Sequence, residues 1–524
     1  MGAYDVPRPL IPDLIAQHGR WQGGKVAAIC GERRWSWAEF DLATCRVANG
    51  LAALGLAPGA RAAVLMGNGL EMLAVLFGAG RAGVTVVPLN VSISDEAVAA
   101  MIADSGVRAV FASGGHCARI DGLIASARIH DGILRIGVDH SGAPGWTDFH
   151  AWQAPQDGSP PAVRVEPATE CNIIYSSGTT GVPKGIVHSH GCRKHWAEDM
   201  AIALRYHSGA VTVCSLGLYS NISWVSMLAT VLVGGTLVLM PTFSAAALVD
   251  EIERHGVSHG SFVPVQFQRL LELPGLAQRK IGSLQAIMCC GSPLAPELKR
   301  ATRDALGCEL IELYGLTEGI VTTLAPEDFD RKLESVGKPI PGQQIALVGD
   351  DDVPAAPGQP GEIIGYGRLV MDGYHGRPEA TSEATWIDAE GRRWLRTGDI
   401  GRLDEEGFLY IVDRKKDMIL SGGQNVYPAD IEAVLHGRGD LLESAVIGIP
   451  SRRWGETPLA VVVPREGAST EPRELRDWLN ARVGRQQRVS GVVLRGALPR
   501  NPNGKVLKRE LRTEYAVLAA QFDA

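Results

Sequence analysis

The stretch Tyr175-Ser-Ser-Gly-Thr-Thr-Gly-Val-Pro-Lys184-Gly185 follows a short apolar run, Ile173 to Tyr175, that predicts a strand. Its glycines allow backbone N–H groups to turn toward an oxyanion, its hydroxyls can donate to phosphate or bind a metal, and Lys184 adds a cation. It differs from the GxxxxGK(S/T) phosphate loop, because Pro183 precedes the lysine and no Ser or Thr follows it. The stretch therefore predicts a phosphate loop of another kind, with a flexible linker as the alternative.

Four further motifs follow in order along the chain. They are Tyr314-Gly-Leu-Thr-Glu318, Arg396-Thr-Gly-Asp399, Asp413-Arg-Lys-Lys-Asp417 and Asn501-Pro-Asn-Gly-Lys505. With the phosphate loop, they closely resemble the adenylate-forming superfamily of acyl-CoA synthetases, firefly luciferase and the adenylation domains of peptide synthetases. The resemblance extends from about residue 25 to about residue 512 and points to the acyl-CoA synthetase branch.

The length of the chain indicates more than one domain. A chain of 524 residues is too long for one hydrophobic core, and its apolar runs alternate with helical patterns, as in α/β layers. After Gly337 the pattern changes to short strands with Gly and Pro turns. Together with the resemblance, this predicts an α/β fold. We expect a large N-terminal AMP-binding domain of layered α/β subdomains (residues 1–413, with a small β-barrel-like subdomain at about 338–413) and a small mobile α+β C-terminal domain (residues 414–524).

The spacing of apolar residues predicts individual elements. Helices are expected at Asp41–Leu54 and Leu70–Ala82, and a strand at Arg61–Leu65. Val225–Met240 is apolar, but the pair Gly234-Gly235 interrupts it, so a buried helix that turns into a buried strand is favoured over a membrane span. The other expected elements are strands at Ile345–Val348, Glu362–Gly365, Phe408–Val412, Ser444–Ile449 and Leu459–Val463, and a helix at Glu471–Val483.

Composition excludes several classes of protein. Hydrophobic residues make up 45% and charged residues 21%, and the mean hydropathy of +0.03 does not indicate a membrane protein. A net charge of −7, with no basic patch between aromatic residues, gives no indication of a nucleic-acid partner. The N-terminus lacks a signal-peptide pattern, and the nine cysteines form no CxxC pair or zinc-ligand spacing. We therefore expect a cytoplasmic protein with reduced thiols, and the oligomeric state, monomer or homodimer, stays open.

The resemblance implies a two-step reaction. A small-molecule carboxylic acid attacks the α-phosphorus of ATP to give acyl-AMP and pyrophosphate, and coenzyme A then takes the acyl group and releases AMP. Two anions must approach each other in the first step, so electrostatic stabilisation should carry most of the catalysis. The resemblance places the β- and γ-phosphates of ATP on the phosphate loop, at Ser176, Ser177, Gly178, Thr179, Thr180, Gly181 and Lys184. It also implies a catalytic role for Thr179.

A magnesium ion is implied at Glu318. Mg²⁺ takes one or two protein oxygens and otherwise phosphates and water, so a single carboxylate is enough. The alternative is that Glu318 is only a helix-start carboxylate beside Thr317, since acidic residues favour such positions.

The adenosine part of the nucleotide has its own predicted residues. Chain reversal at Gly291-Ser292-Pro293 would expose backbone groups to a planar base, and Tyr314 can stack on adenine. Asp399 offers two acceptor oxygens to the ribose hydroxyls, and Arg414 can donate to ribose or phosphate. Alternatively, Asp399 caps a turn after Gly398 and Arg414 is solvated. The resemblance also implies that Glu312 and Thr317 contribute to cofactor binding.

Lys505 lies in a turn sequence of the C-terminal domain, where a lysine is usually solvated. The resemblance instead makes it the cation that neutralises charge between the carboxylate and the α-phosphate. The hinge of the mobile domain is expected at Lys416. After rotation, Gly422 and Gly423 would pass close to the pantetheine arm of coenzyme A. Trp454-Gly-Glu456 also matches the family, with no role assigned.

The acyl pocket is the least determined part of the site. Many relatives carry a Phe-His pair where this chain has Tyr219 and Ser220, so the resemblance does not support a gating or carboxylate-steering role for an imidazole there. Leu313 replaces the glycine of long-chain and hydroxycinnamate relatives and should shorten the pocket. With Trp224 as a further wall, these residues predict a compact aryl, cyclic or short-to-medium aliphatic acid. Trp224 could equally be a plain core residue.

Three functions compete. The first is an acyl-CoA synthetase. The second is an acyl-AMP ligase that loads a carrier protein in trans, or an amino-acid adenylation domain, although no fused carrier domain is found and no acidic residue for an ammonium group is evident near Leu218–Trp224. The third is a non-catalytic nucleotide-binding module. The presence of Lys505, Glu318 and the phosphate loop favours an enzyme.

Overall fold

The computed structural model describes residues 9–140, 143–175, 183–349, 352–421, 424–500 and 504–516. The chain forms two compact units. The first comprises Met1–Leu333, Pro339–Gln344 and Tyr366–Thr385, and the second comprises Glu334–Lys338, Ile345–Gly365 and Trp386–Ala524. The expected domain boundary at residue 414 and the expected hinge stay predictions.

The helices are, in chain order, α1 Ile11–Trp21, α2 Trp37–Ala53, α3 Leu70–Arg81, α4 Asp95–Ser105, α5 His116–Ala125, α6 Phe149–Gln153, α7 His190–Ala203, α8 Asn221–Val233, α9 Ala245–His255, α10 Pro264–Leu271, α11 Pro296–Leu306, α12 Pro378–Glu383, α13 Pro428–His436, α14 Pro472–Asn480 and α15 Lys508–Ala516.

The strands are β1 Val26–Cys30, β2 Arg33–Ser36, β3 Arg61–Leu65, β4 Thr85–Pro88, β5 Ala109–Ser113, β6 Leu134–Val138, β7 Thr147–Asp148, β8 Glu170–Tyr175, β9 Gly185–Ser189, β10 Val211–Cys214, β11 Thr236–Leu239, β12 His259–Phe262, β13 Ala286–Cys289, β14 Glu309–Gly315, β15 Val321–Leu324, β16 Lys338–Pro339, β17 Gln343–Val348, β18 Gly361–Gly367, β19 Gly373–Tyr374, β20 Thr385–Ile387, β21 Arg393–Leu403, β22 Leu409–Arg414, β23 Ile419–Ser421, β24 Gln424–Val426, β25 Leu441–Ser451, β26 Gly455–Pro464 and β27 Gly491–Leu494.

The first elements of the chain follow their sequence patterns closely. The strand expected at Arg61–Leu65 is β3, and the helix expected from Leu70 is α3. α2 begins four residues before the expected Asp41, because Ser36 and Glu39 form a capping box. The Glu39 backbone N–H donates to Ser36 Oγ at 3.3 Å, and the Ser36 N–H donates to Glu39 Oε2 at 2.7 Å. These two bonds satisfy N–H groups that the first turn of a helix leaves unpaired.

One sheet of the first unit contains the strands on either side of the phosphate loop. Its strands lie in the order β19-β9-β8-β4-β3-β5-β6-β7. β4 pairs with β3 and with β8 in parallel, whereas β9 is antiparallel to both β8 and β19. Side chains on both faces are buried, as is typical of a sheet covered by helices. β8 confirms the strand predicted before the phosphate loop and ends at Tyr175.

The other large sheet of the first unit contains β2, β1, β11, β10, β12, β13, β14 and β15 in that order. β11, β10, β12, β13 and β14 are mutually parallel, and β15 returns antiparallel to β14. The prediction for Val225–Met240 is confirmed, since α8 ends at Gly234 in a left-handed turn (φ +67°) and β11 follows. In the parts of the chain that the structure describes, no helix is long and apolar enough to cross a membrane.

The second unit contains two small sheets. One has the order β17-β18-β21-β20, with β22 paired to β21, and the other has the order β24-β23-β26-β25, with β27 paired to β26. The strands predicted in both regions are confirmed. The predicted helix at Glu471–Val483 is shorter, because α14 ends at Asn480. The Asn480 amide donates to the Val489 carbonyl at 2.9 Å and accepts from the Val489 N–H at 2.8 Å, so it ties the helix end to the chain before β27.

Gly78 lets α3 pack closely against α2. A Cβ added at Gly78 would lie 2.6 Å from Val47 Cβ and 2.9 Å from the Thr44 carbonyl oxygen. We predict that Gly78→Ala destabilises the protein by about 1–3 kcal/mol through overpacking. Gly122→Ala in the exposed part of α5 is the control, because its Cβ would meet no atom within 4 Å and should stabilise by about 0.5–1 kcal/mol. Thermal unfolding of both variants measures this, and equal melting temperatures would contradict the prediction.

Candidate active site

The predicted nucleotide and acyl residues of the first unit emerge at one edge of a sheet. β10, β12, β13 and β14 run parallel, so their carboxyl ends open side by side. Leu216–Ser220 follows β10, Val263 follows β12, and Gly291–Pro293 follows β13. Glu318 follows β14. Crevices at the carboxyl ends of parallel strands are where open α/β sheets bind ligands.

The Gly291-Ser292-Pro293 segment turns sharply after β13. Gly291 has φ +95°, a backbone conformation that side chains with a Cβ rarely adopt. A Cβ there would lie 3.1 Å from Ile222 Cδ1 and 3.4 Å from Val263 Cγ1, so the turn contacts the first turn of α8. Gly291 and Pro293 are exposed and Ser292 is half-buried. The turn can thus present backbone groups to a planar base, and its adenine-binding role stays a prediction.

Glu318 lies in a tight turn between β14 and β15, the Leu316–Gly319 turn, in which the Gly319 N–H donates to the Leu316 carbonyl at 3.1 Å. The alternative that Glu318 starts a helix is therefore wrong. Gly319 has φ +117°, and a Cβ there would lie 2.1 Å from the Leu369 carbonyl oxygen. The Met371 N–H donates to the Glu318 carbonyl at 2.8 Å. Only glycine can follow Glu318 at this close approach of two backbone segments.

Tyr374 joins Glu318 to the end of the phosphate loop. Its hydroxyl donates to Glu318 Oε1 at 3.0 Å, and the Lys184 ammonium lies 4.8 Å from the centre of its ring. Burial, together with the Glu318 carboxylate, raises the pKa of the Tyr374 hydroxyl, so it remains a hydrogen-bond donor at neutral pH. Tyr374 was missed by the sequence reasoning, because no motif marks it and it lies 56 residues from Glu318.

Most of the phosphate loop lies outside the described residues. Tyr175 and Gly185 are paired across β8 and β9, so these two strands bracket the loop. The predicted residues that the structure does not describe are Ser176, Ser177, Gly178, Thr179, Thr180 and Gly181. Lys184 is described and half-buried, and its ammonium and the Glu318 carboxylate both contact Tyr374.

Glu312 has a structural partner. Its carboxylate forms a buried ion pair with Lys299 of α11, and the Lys299 ammonium also donates to the Leu333 carbonyl at 2.5 Å. Burial raises the pKa of the Glu312 carboxyl, and the Lys299 ammonium opposes that rise. Tyr314, two residues further along β14, is half-buried and paired with Thr322 of β15. The cofactor-binding roles of Glu312 and Tyr314 stay predictions.

His188 and Arg193 were also missed by the sequence reasoning. His188 Nε2 donates to the Thr317 carbonyl at 2.8 Å, and the Arg193 guanidinium donates to His188 Nδ1 at 3.2 Å. Both side chains are fully buried, His188 on β9 and Arg193 on α7. The available signal was a histidine and an arginine among core positions just after the phosphate loop, where apolar residues are usual. Thr317 thus accepts this bond through its backbone carbonyl, and its cofactor-binding role stays a prediction.

In the second unit, Asp399 and Arg414 face each other across β21 and β22. The Arg414 Nε lies 3.4 Å from Asp399 Oδ1, and Asp399 is 5% exposed. This ion pair is compatible with a ribose-binding role for Asp399 and also with turn capping, so both alternatives stay open. Asp413 accepts the Ala429 N–H at 3.0 Å and so holds the start of α13. Contacts with ribose or phosphate stay predictions for Asp399 and Arg414.

Lys505 lies in the same unit within a charged cluster. Val506, the next residue, forms a bridge with Arg500, and the Lys505 side chain is half-buried. Burial lowers the pKa of its ammonium to about 7, and the nearby Arg414 and Lys416 act in the same direction. Asp399 and Asp417 oppose the shift. The half-buried side chain and its charged neighbours favour the catalytic role over that of a solvated lysine, and the role stays a prediction.

The turn after β22 contains Lys416, the expected hinge, and Asp417, which pairs with Arg512 of α15 at 2.8 Å. Gly422 and Gly423 lie outside the described residues. Just before them, the Leu420 N–H donates to Glu456 Oε2 at 2.9 Å. Glu456 of the Trp454-Gly-Glu456 segment therefore holds the chain where the Gly-Gly segment begins.

Comparisons with known proteins agree with this geometry. The sequence pattern described as AMP-binding enzyme matches residues 15–375, and that of the AMP-binding enzyme C-terminal domain matches residues 430–505. The chain belongs to the AMP-binding enzyme family.

Several relatives of this AMP-binding enzyme are ligases. It is 34% identical to the long-chain-fatty-acid–CoA ligase FadD13 of Mycobacterium tuberculosis, over 92% of this chain and 93% of that protein. It is 34% identical to the indoleacetate–CoA ligase of Aromatoleum aromaticum, over 96% and 97%. It is 31% identical to the fatty acid–[acyl-carrier-protein] ligase ScoC of Streptomyces coeruleorubidus, over 95% of each chain.

The fold is shared with a solved structure, the ATP-bound MatB of Rhodopseudomonas palustris. The TM-score is 0.88 at 27% identity, over 97% of this chain and 99% of that one. The predicted mixed α/β fold, with a large N-terminal and a small C-terminal domain, is thereby confirmed. The predicted enzyme class, an AMP-forming acid–thiol ligase that uses ATP, Mg²⁺ and coenzyme A, is confirmed at the level of the family.

The predicted acyl residues of this AMP-binding enzyme divide into polar and apolar members. Ser220 caps α8, with its Oγ accepting the Ile222 N–H at 3.3 Å, so the position that carries His in many relatives here stabilises a helix start. The half-buried Tyr219 ring lies over Gly217, where a Cβ would be 2.1 Å from it. The Trp224 indole N–H donates to the Leu218 carbonyl at 2.9 Å. Trp224 and Leu313 are buried in one apolar cluster.

The charged cluster around Lys505 predicts an unusual reactivity. Because only the neutral amine reacts with acylating reagents, the labelling rate of Lys505 should reach half its maximum near pH 7. An ordinary lysine, with a pKa of about 10.4, reaches that point above pH 10. Competitive labelling followed by peptide mapping measures this, with the exposed Lys280 as the internal control. A Lys505 profile that rises only above pH 10 would contradict the prediction.

Proposed function

We propose that this enzyme joins a compact carboxylic acid, aryl, cyclic or short-to-medium aliphatic, to coenzyme A by way of an acyl-AMP intermediate. The observation that carries the proposal is the placement of Leu313. Its side chain is 7% exposed, is packed in the same cluster as Trp224, and stands on β14 just before the turn that bears Glu318. A branched side chain at that place shortens the space available to an acyl chain.

The side chains support the first half-reaction by their charges. Glu318 would hold Mg²⁺, because a carboxylate oxygen suits this hard cation and one protein carboxylate is sufficient. When bound with ATP, Mg²⁺ neutralises phosphate charge. We propose that Lys184 stabilises the terminal phosphates, with its ammonium kept in place over the Tyr374 ring. The Lys505 ammonium would neutralise the charge that develops as the carboxylate oxygen bonds to the α-phosphorus and pyrophosphate leaves.

Other residues are proposed to contact the adenosine part of ATP. We propose that Tyr314 and the Gly291-Ser292-Pro293 turn contact adenine, and that Asp399 accepts from the ribose hydroxyls. The Asp399 carboxylate is held in place by Arg414, which supports a fixed acceptor. In the second half-reaction, the CoA thiolate attacks the acyl carbonyl and AMP leaves, and Gly422 and Gly423 would admit the pantetheine arm. The nine free thiols are typical of a reducing compartment, which supports the expected cytoplasmic location.

A second function has support from one relative. ScoC loads an acyl-carrier protein and resembles this chain over nearly its whole length. A carrier protein presents its acyl acceptor on the same kind of pantetheine arm as CoA, so the first half-reaction would be unchanged. Only the identity of the thiol separates the two functions.

We predict that a panel of acids gives pyrophosphate release that is highest for a compact acid, and AMP release that depends on added CoA. Lys505→Ala should lose acyl-AMP formation by at least about 100-fold, because a charge stabilising the transition state is removed, yet still convert supplied acyl-AMP and CoA to thioester. Pyrophosphate release and thioester formation are measured separately.

The control for this experiment is Lys280→Ala, which removes an exposed lysine outside the proposed site. If pyrophosphate is released but CoA has no effect, the carrier-protein function is favoured. Equal loss of both half-reactions in folded Lys505→Ala would contradict the role given to Lys505. The highest rates for acids of about sixteen carbons would contradict the compact substrate.

Leu313→Gly should lengthen the acyl pocket. We predict that kcat/KM for long-chain acids relative to benzoate rises at least about tenfold, since each additional buried methylene contributes about 0.8 kcal/mol. Leu310→Ala is the control, because Leu310 is also buried on the same strand but lies outside the Trp224 cluster. An unchanged ratio in Leu313→Gly, or an equal rise in Leu310→Ala, would contradict the assignment of Leu313 to the pocket wall.

A further inference from the structure

Arg193 is a wholly buried arginine that donates hydrogen bonds to three neutral side chains. Its Nε donates to Asn172 Oδ1 at 3.1 Å, one Nη donates to Asn221 Oδ1 at 2.8 Å, and the other donates to His188 Nδ1 at 3.2 Å. These partners belong to β8, α8 and β9, so one guanidinium connects three elements. The fork geometry of the guanidinium makes these directions specific.

Arg193 carries a positive charge in the core. Among the residues that the structure describes, no carboxylate forms an ion pair with it. The rings of Trp224 and Trp196 lie 5.0 and 5.7 Å from the guanidinium carbon instead. Burial lowers the pKa of Arg193 to about 10, so the side chain is still charged at neutral pH. Burying an unpaired charge is unfavourable, so its presence in the core calls for a reason other than stability.

The neighbouring His188 is neutral and its tautomer is fixed. Burial lowers the pKa of His188 well below its usual value, and the Arg193 charge lowers it further. A guanidinium can only donate, so Nδ1 of His188 accepts and the ring proton stays on Nε2. That N–H points at the Thr317 carbonyl, 2.8 Å away. Without Arg193, the other tautomer would turn a lone pair toward the carbonyl.

The Thr317 carbonyl belongs to the Leu316–Gly319 turn, which bears Glu318. The turn is held by His188 at Thr317 and by the Met371 N–H at the carbonyl of Glu318. We infer that Arg193 and His188 are positioning residues: the guanidinium sets the imidazole tautomer, and the imidazole fixes the Leu316–Gly319 turn so that Glu318 is oriented for Mg²⁺–ATP. This inference rests on the proposed metal role of Glu318.

The same guanidinium also restrains the acyl side of the site. Asn221 is the first residue of α8, directly after the capping Ser220. Because its Oδ1 accepts from Arg193, the amide is held in one orientation at the start of the helix. Arg193 therefore connects the turn that bears Glu318 to the helix that carries Trp224.

The experiment compares His188→Leu with His188→Gln. Leucine removes the donor to Thr317, whereas glutamine can place its amide nitrogen near the position of Nε2 and its amide oxygen toward Arg193. We expect the half-saturating Mg²⁺ concentration for pyrophosphate release to rise at least about tenfold in His188→Leu and less than about threefold in His188→Gln, since partners that orient metal ligands typically contribute 10–100-fold. Thioester formation from supplied acyl-AMP and CoA should stay within about twofold of the parent enzyme.

Loss of a buried histidine with a purely structural role should affect stability and leave the Mg²⁺ requirement unchanged. His259→Leu is the matched control, because His259 is also buried and bonds a carbonyl, that of Arg205, away from the turn. It should lower the melting temperature without changing the Mg²⁺ requirement. The inference is overturned if folded His188→Leu keeps the parent Mg²⁺ requirement, or if both half-reactions fall equally in it.

Two further variants keep the inference testable if His188→Leu does not fold. Arg193→Lys retains the charge but loses the fork, and we expect it to raise the Mg²⁺ requirement as well, whereas an unchanged requirement overturns the inference.

Glu318→Gln separates this inference from the proposed function. If Glu318→Gln leaves the Mg²⁺ requirement unchanged, the metal role of Glu318 fails and the inference fails with it. If only the His188 and Arg193 variants are without effect, the inference alone fails.

Discussion

The parallel register of β12, β13 and β14 is the constraint on which the first unit depends. Because the three strands run in the same direction, Val263, Gly291 and the Leu316–Gly319 turn emerge at one edge. The register also sets which side chains of β14 face the core. A shift by one residue would exchange the face of Leu313, which lies in the same apolar cluster as Trp224, for that of Glu312, which pairs with Lys299. Such a shift would bury a carboxylate in an apolar cluster, so the register is strongly specified.

The cations of each unit are held by partners that suit their environment. In the first unit, Lys184 lies over an aromatic ring and Arg193 donates to three neutral acceptors, and in the second unit Arg414 faces a buried carboxylate. Lys505 is half-buried among charges of both signs. In a reaction that joins two anions, charges fixed before the substrates arrive need no reorganisation during the chemical step.

Much of the local structure could be predicted from the sequence. The strand Arg61–Leu65 was predicted to the residue, and the helix Leu70–Ala82 to within one residue, because their apolar spacing is regular. The ends of helices were predicted less well where side-chain hydrogen bonds determine them. The capping box of Ser36 and Glu39 extended α2, and the Asn480 amide ended α14 early. The motifs identified Glu318, Asp399, Arg414 and Lys505, which the structure places in turns or paired strands with buried or half-buried side chains.

The sequence by itself determined the features that depend on neighbouring residues: the strand before the phosphate loop, the glycine that a turn requires at Gly291, and the order of the motifs. Only the tertiary structure decided which distant groups meet. Tyr374 bonds to Glu318 across 56 residues, and His188 bonds to Thr317 across 129. The physical reason is that such partners are selected by burial and by the geometry of packed strands, which bring together side chains that no local pattern relates.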